Sequence, residues 1–260
     1  MTDSVAVEHH EDENQIEEKP YSWLRALGGL ILLPALFILI SGLLVWIARS
    51  SGIIFDQTAG FALTSSSFLL AAVLFLIITG RARSILSSLK LREFHFHYIP
   101  LGVAAAVATY IGALVVGILG NALISSLGET EARGTNDTTK TIGGLAESHS
   151  IFYLGLFIVV LAPICEEIFF RGAFLGALAQ ETRRKWIQIP AAVIVAIAFG
   201  FAHFQGFTGT LADVLAVVTP GLVGVTGIVL TLKTKSLYPA IVNHMVYNGF
   251  VLLIITGAGS

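Results

Sequence analysis

Seven long apolar stretches dominate the sequence, and each approaches the roughly 20 residues that a helix needs to cross the hydrocarbon core of a bilayer. They are predicted at residues 23–48, 60–80, 99–125, 151–179, 187–204, 211–232 and 237–256. Charged residues make up only 12% of the chain, whereas they make up about a quarter of a soluble domain. The sequence therefore predicts an all-α polytopic membrane protein with about seven transmembrane helices. An eighth, re-entrant segment around residues 206–210 is the alternative.

The positive charges outside these stretches are unevenly distributed. If the N-terminus is cytoplasmic, 11 lysines and arginines fall in cytoplasmic segments, and three, Arg49, Arg133 and Lys140, fall in external segments. Cytoplasmic loops of membrane proteins are rich in these residues. We therefore expect an integral membrane protein whose N-terminus is cytoplasmic. The short chain, its one cysteine and its acidic beginning favour the plasma membrane of a bacterium.

Charge and polarity divide the chain into four predicted regions. Residues 1–22 form a disordered acidic cytoplasmic tail, since seven of the 17 acidic residues lie in the first 18 positions. Residues 23–127 contain three supporting transmembrane helices, and residues 128–150 form a polar external loop. Residues 151–260 form a membrane core, and we expect the chemistry there because its apolar stretches carry ionisable side chains.

The fourth apolar stretch carries Glu166, Glu167 and Arg171. Each charge at the centre of a bilayer costs roughly 2.5–3.5 kcal/mol. Glu167 and Arg171 are four residues apart, so they share a helix face and are predicted to form an ion pair in a supporting role. Glu166 is turned by about 100° from its neighbour. We therefore predict that Glu166 is the carboxylate that remains free for chemistry.

Two later stretches add His203, four residues after Phe199, and His244, four residues before Asn248. The Phe199 ring is expected to pack against the His203 imidazole. A carboxylate and a histidine can polarise a water molecule for attack on an amide, while histidine and asparagine donate hydrogen bonds to the oxyanion. Alternatively, Glu166, His203 and His244 are candidate ligands for zinc. The residues alone do not decide between these two chemistries.

The three motifs occur in a recognisable order: EExxxR at residues 166–171, FxxxH at 199–203 and HxxxN at 244–248. Together they resemble the CPBP family, which contains the CAAX proteases and bacteriocin-processing proteins and is also called Abi. The resemblance covers about residues 151–248 and implies a CAAX-protease-like catalytic core in the last four helices. It implies that Glu166 is the catalytic glutamate and His203 its partner in activating water, with His244 and Asn248 at the oxyanion.

From these observations we expect an intramembrane endopeptidase, either a metalloendopeptidase with zinc or a glutamate-type enzyme without metal. Its partners are a peptide or membrane-protein substrate and the lipid bilayer, with no nucleic acid. The alternative is a catalytically silent membrane scaffold, or an immunity or regulatory protein that binds a partner membrane protein. A proton-coupled transporter is a third class, and the lack of an evident inverted repeat argues against it. The sequence does not predict the substrate's identity or the oligomeric state.

Overall fold

The structure is a computed structural model, and it describes residues 21–52, 57–81, 85–91, 93–127, 155–180, 182, 184–204 and 211–257. Within these residues the regular secondary structure is entirely helical, and a helical segment lies at each of the seven predicted positions. The helices are α1 (Trp23–Ser50), α2 (Gln57–Ile78), α3 (Ile85–Ser88), α4 (Tyr98–Ser126), α5 (residues 155–178), α6 (Lys185–Ala202), α7 (Leu211–Thr234) and α8 (Tyr238–Gly257). The predicted all-α class is confirmed.

Five helices in the described part of the chain are long and apolar enough to cross a membrane, namely α1, α2 from Ala59, α4, α6 and α7. A shorter apolar segment, Tyr238–Ile254, lies in α8. These helices confirm a polytopic membrane protein. The predictions for residues 1–20, for the loop at 128–150 and for a re-entrant segment at 206–210 lie outside the described residues.

Helix α5 alternates between two hydrogen-bonding patterns. Gly155–Leu161 and Ile168–Phe174 are π-helical, while Ala162–Glu167 and Leu175–Leu178 are α-helical. Pro163 follows the first π-helical stretch. It has no N–H to donate, and its ring clashes with the carbonyl four residues earlier, so the preceding turn cannot keep regular α-helical bonding. Such wide turns occur often at functional sites.

Aromatic side chains join the first two helices to α5. The rings of Phe37 on α1 and Phe68 on α2 stack with centroids 4.4 Å apart. Phe169 on α5 lies 5.7 Å from the first ring and 5.0 Å from the second. All three belong to the main hydrophobic core or pack against it. These contacts hold α5, which carries the two glutamates, against α1 and α2.

On the other side of the bundle, α4 packs against α7 and α8. Glycines allow the closest approaches. A Cβ atom at Gly102 would lie 2.6 Å from Val242 Cβ, and a Cβ atom at Gly120 would lie 2.5 Å from Leu215 Cδ1. A Cβ atom at Gly102 would also lie 2.9 Å from the Pro239 carbonyl oxygen, so α4 and α8 can pack this closely there only without a side chain, whereas the contact at Gly120 is with the end of a flexible side chain.

Candidate active site

The predicted ion pair between Glu167 and Arg171 is present. Glu167 Oε1 lies 3.0 Å from Arg171 Nη1, and both side chains are fully buried. The four-residue spacing on α5 brings the two groups together, as expected for neighbours on one helix face. The pairing matters because an isolated charge buried away from water is very costly.

The Arg171 guanidinium also contacts α7 and an aromatic ring. Its Nη2 donates hydrogen bonds to the carbonyl oxygens of Val223 and Gly224, at 3.2 and 3.1 Å. Its Cζ atom lies 4.2 Å from the centroid of the Phe199 ring. A Cβ atom at Gly227 would lie 3.0 Å from Nε and Nη2, so the absence of a side chain there makes room for the guanidinium. Gly227 on α7 therefore leaves the space that this buried charge occupies.

Glu167 has a second partner that sequence analysis did not identify. The same Oε1 atom accepts a hydrogen bond from His244 Nδ1 on α8, at 3.0 Å. This hydrogen bond places a proton on Nδ1, so in the neutral imidazole Nε2 carries a lone pair. The two residues are 77 positions apart. No local spacing in the sequence signals that Glu167 orients His244.

A carbonyl group of α6 fixes the tautomer of His203, so that its proton, like that of His244, is on Nδ1. His203 is the residue that follows α6, and its Nδ1 lies 2.9 Å from the Phe199 carbonyl oxygen, which accepts a hydrogen bond from it. Carbonyls in the last turn of a helix have no partner within the helix, so this one is available. The rings of Phe199 and His203 have centroids 4.7 Å apart. The predicted packing of Phe199 on His203 is confirmed.

Glu166 lies between the two imidazoles. Its Oε2 atom is 3.6 Å from His203 Nε2 and 3.8 Å from His244 Nε2. Among the described residues, this buried oxygen has no hydrogen-bond partner. When both imidazoles are neutral, three acceptor atoms face one another, and acceptors do not bond to each other directly. A water molecule could donate to two of them, which is the arrangement needed to polarise it.

Asn248 lies on α8 one turn beyond His244, as its spacing predicts. Its Nδ2 donates a hydrogen bond to the Ile158 carbonyl oxygen, at 2.9 Å, in the first π-helical stretch of α5. This bond uses one of the two N–H groups of the amide. The predicted contact of Asn248 with an oxyanion therefore depends on the other N–H group and stays a prediction.

Asn243, the neighbour of His244, contacts α4 and not the glutamates. It is fully buried, and its Oδ1 lies 3.4 Å from Thr109 Oγ1. Thr109 also hydrogen bonds to Thr226 on α7, at 2.9 Å. This small polar cluster links three helices behind His244. It agrees with a packing role for Asn243.

The zinc and the metal-free alternatives both stay predictions. Among the described residues, no group of three or more histidine, cysteine, aspartate or glutamate side chains is arranged to hold a metal ion. Glu166, His203 and His244 approach one another, but they do not meet this requirement. We therefore derive no chemical step from a metal.

Residues 148–250 match the family model of the type II CAAX prenyl endopeptidase Rce1-like proteins. This segment is therefore similar to the Rce1-like proteins. The match covers less than half of the chain, and it contains all three motifs, from Glu166 to Asn248. The resemblance predicted from the motifs is confirmed, and at the family level the Rce1-like match supports a CAAX-type intramembrane endopeptidase. Comparison with curated proteins and with solved structures found no match.

Proposed function

We propose that the protein is an intramembrane endopeptidase in which Glu166 and His203 activate one water molecule. The observation that supports this most strongly is the approach of Glu166 Oε2 to His203 Nε2, at 3.6 Å. That separation is too long for a direct hydrogen bond, and in the proposed site one water molecule bonds to both atoms. The Rce1-like match over the same residues supports peptide-bond hydrolysis.

In the proposed reaction, Glu166 accepts a proton from the water as the water oxygen attacks the carbonyl carbon of the scissile peptide bond. His203 Nε2 accepts the second hydrogen bond of the water and orients it. The C–N bond then breaks, and Glu166 returns the proton to the departing amine. The products are a new carboxyl terminus and a new amino terminus, and the enzyme is unchanged.

His244 and Asn248 are proposed to stabilise the negative charge on the tetrahedral oxygen. His244 Nδ1 already donates to Glu167, so its Nε2 can donate only when the imidazole is protonated. The Glu167 carboxylate lies 3.0 Å from the ring Nδ1 atom and fixes the orientation of the ring. Glu167 is thus a positioning residue that acts through His244, and Arg171 in turn fixes Glu167.

The test is a comparison of peptide termini in membranes of cells that express the wild type, Glu166→Gln or His203→Ala. The matched control is Glu93→Gln, because Glu93 has an exposed side chain outside the site. New termini should appear with the wild type and the control and disappear with both site variants at equal protein levels. If the site variants keep both the termini and the cellular phenotype, the protein acts as a scaffold and the proposed hydrolysis is wrong.

A further inference from the structure

We propose that the site is entered from the non-cytoplasmic side of the membrane, so that its substrate is a peptide segment lying in or beyond the outer half of the bilayer. That the protein has a peptide substrate rests on the proposed function. The inference about entry rests on the exposure of the site side chains and on the distribution of charge, which are independent of catalysis.

The exposed fraction of the site side chains increases from Arg171 and Glu167 to His203. Arg171 and Glu167 are fully buried, and the His244 side chain is 3% exposed. Glu166 is 13% exposed and His203 is 36% exposed. The ion pair therefore lies at the closed end of the site, and the two groups proposed to activate water lie toward the open end.

The helices show which end of the bundle is open. His203 follows the last residue of α6, 18 residues after Lys185, which places it about 27 Å from the start of that helix. Arg171 lies seven residues before the end of α5 at Leu178, only about 10 Å from that end. Residues 179–184 connect these two helices. Among the described residues, the buried ion pair thus lies on the side of this connection, and the exposed His203 side chain lies on the side away from it.

The closed end is also the basic end. Tyr21 Oη donates to the Leu178 carbonyl oxygen at 2.7 Å, and the Leu237 N–H donates to the Lys90 carbonyl oxygen at 3.1 Å, so several helix termini meet there. Seven of the eight described lysines and arginines outside the interior of α5 lie at this end, namely Arg25, Arg81, Lys90, Arg184, Lys185, Lys233 and Lys235. Arg49 lies at the opposite end. By the positive-inside rule, the basic end is cytoplasmic.

Buried side chains separate the cytoplasmic end from Glu166. The Arg171 guanidinium lies against the Phe199 ring, and the Phe170 and Phe199 rings have centroids 5.0 Å apart. A peptide that arrived from the cytoplasm would have to disrupt this buried ion pair and aromatic packing. A segment already inserted into the membrane or exported across it would reach Glu166 from the side of His203. The fitting substrate class is therefore an inserted or exported peptide segment.

The test measures accessibility without using enzyme activity. Cys165 is the one cysteine of the chain, so Cys165→Ala gives a background without cysteine. Into this background, His203→Cys places a thiol at the open end, and Ser87→Cys places one on the exposed side of α3 at the basic end. The probe is a charged, membrane-impermeant maleimide, applied to intact cells and to permeabilised cells.

In intact cells we expect labelling of His203→Cys to exceed labelling of Ser87→Cys at least tenfold, and permeabilisation should make both react. Labelling of Ser87→Cys in intact cells overturns the proposal. Failure of His203→Cys to react in intact cells also overturns it. If His203→Cys does not accumulate in membranes, Phe204→Cys takes its place. Because labelling needs no turnover, a wrong direction of entry and a wrong catalytic proposal give different results.

Discussion

Glu166 and Glu167 are adjacent in the chain and have opposite surroundings. Glu167 Oε1 lies 3.0 Å from both Arg171 Nη1 and His244 Nδ1. Glu166 Oε2 faces two imidazole nitrogens beyond hydrogen-bonding distance. The turn of about 100° between neighbouring helical residues directs the two carboxylates to different partners. Substitutions at the two positions should therefore change different properties.

Glu167→Ala is expected to lower the free energy of unfolding by about 3–5 kcal/mol, because it leaves the fully buried Arg171 without its partner. Denaturation of the purified protein in mixed micelles measures this loss. Glu93→Ala is the matched control and should change stability by less than about 0.5 kcal/mol, as an exposed surface substitution does.

The double variant Glu167→Met, Arg171→Met separates stability from positioning. Removing both charges should recover most of the lost stability, since an apolar pair can replace a buried ion pair. Cleavage should remain low, because His244 no longer has an acceptor for its Nδ1 proton. A double variant with wild-type activity would show that Glu167 does not position His244.

Metal removal distinguishes the two chemistries that the sequence leaves open. In the proposed reaction Glu166 and His203 activate the water molecule without a metal ion, so we expect cleavage by the purified protein to continue at an unchanged rate in a strong chelator. Elemental analysis of the same sample provides the control. Loss of activity in chelator that is restored by stoichiometric zinc would contradict the glutamate-type proposal.

At the scale of the helices, the site depends on the close approach of α6 and α7. A Cβ atom at Gly200 would clash with the Val217 carbonyl oxygen, which belongs to the backbone and cannot rotate away. A Cβ atom at Gly224 would lie 3.4 Å from Phe199, an ordinary contact. The approach at Gly200 therefore helps to fix the end of α6, which carries His203.

Gly200→Ala is expected to destabilise the protein by about 1–3 kcal/mol and to reduce cleavage, because the two helices must separate. Gly221→Ala on α7 is the matched control. Among the described residues, no atom outside the local backbone of α7 lies within 4 Å of the added Cβ there, and alanine favours a helix over glycine. The thermal unfolding temperature and the cleavage rate of Gly200→Ala should both be well below those of Gly221→Ala and of the wild type. If the two alanine variants have the same stability and the same cleavage rate, the close approach of α6 and α7 at Gly200 determines neither property.

The positions of the helices could be predicted from the sequence, because long apolar stretches are local features. The ion pair of Glu167 and Arg171 and the packing of Phe199 on His203 were predictable for the same reason, since each joins residues four apart. The hydrogen bond from His244 to Glu167 was not, because it joins α5 to α8. The contact of the Arg171 guanidinium with Gly227 was not predictable either, since it depends on how α7 packs against α5.

At the scale of the whole molecule, the beginning of the described chain is bound to the end of α5. The Ser22 N–H donates to Gln180 Oε1 at 3.0 Å, and Gln180 Nε2 donates to the Ser22 carbonyl oxygen at 2.8 Å. The Tyr21 hydroxyl donates to the Leu178 carbonyl oxygen. These residues lie about 18 Å along α5 from Glu166, so they anchor this helix without touching the candidate site.

Gln180→Ala removes two of these hydrogen bonds and should cost about 1–3 kcal/mol of stability, at about 0.5–1.5 kcal/mol for each bond. The cleavage rate of the folded fraction should stay at the wild-type value, because no site residue is changed. Parallel measurements of unfolding and of turnover check both parts. A fall in turnover without a loss of stability would assign Gln180 a role beyond anchoring.

The most direct test of the central claim is a high-resolution experimental structure of the protein in a lipid environment, refined with its water molecules. The proposed mechanism predicts an ordered water molecule about 2.7–3.2 Å from both Glu166 Oε2 and His203 Nε2. Separation of these two atoms by more than about twice the length of a hydrogen bond, or a direct hydrogen bond between them that leaves no place for water, would contradict it.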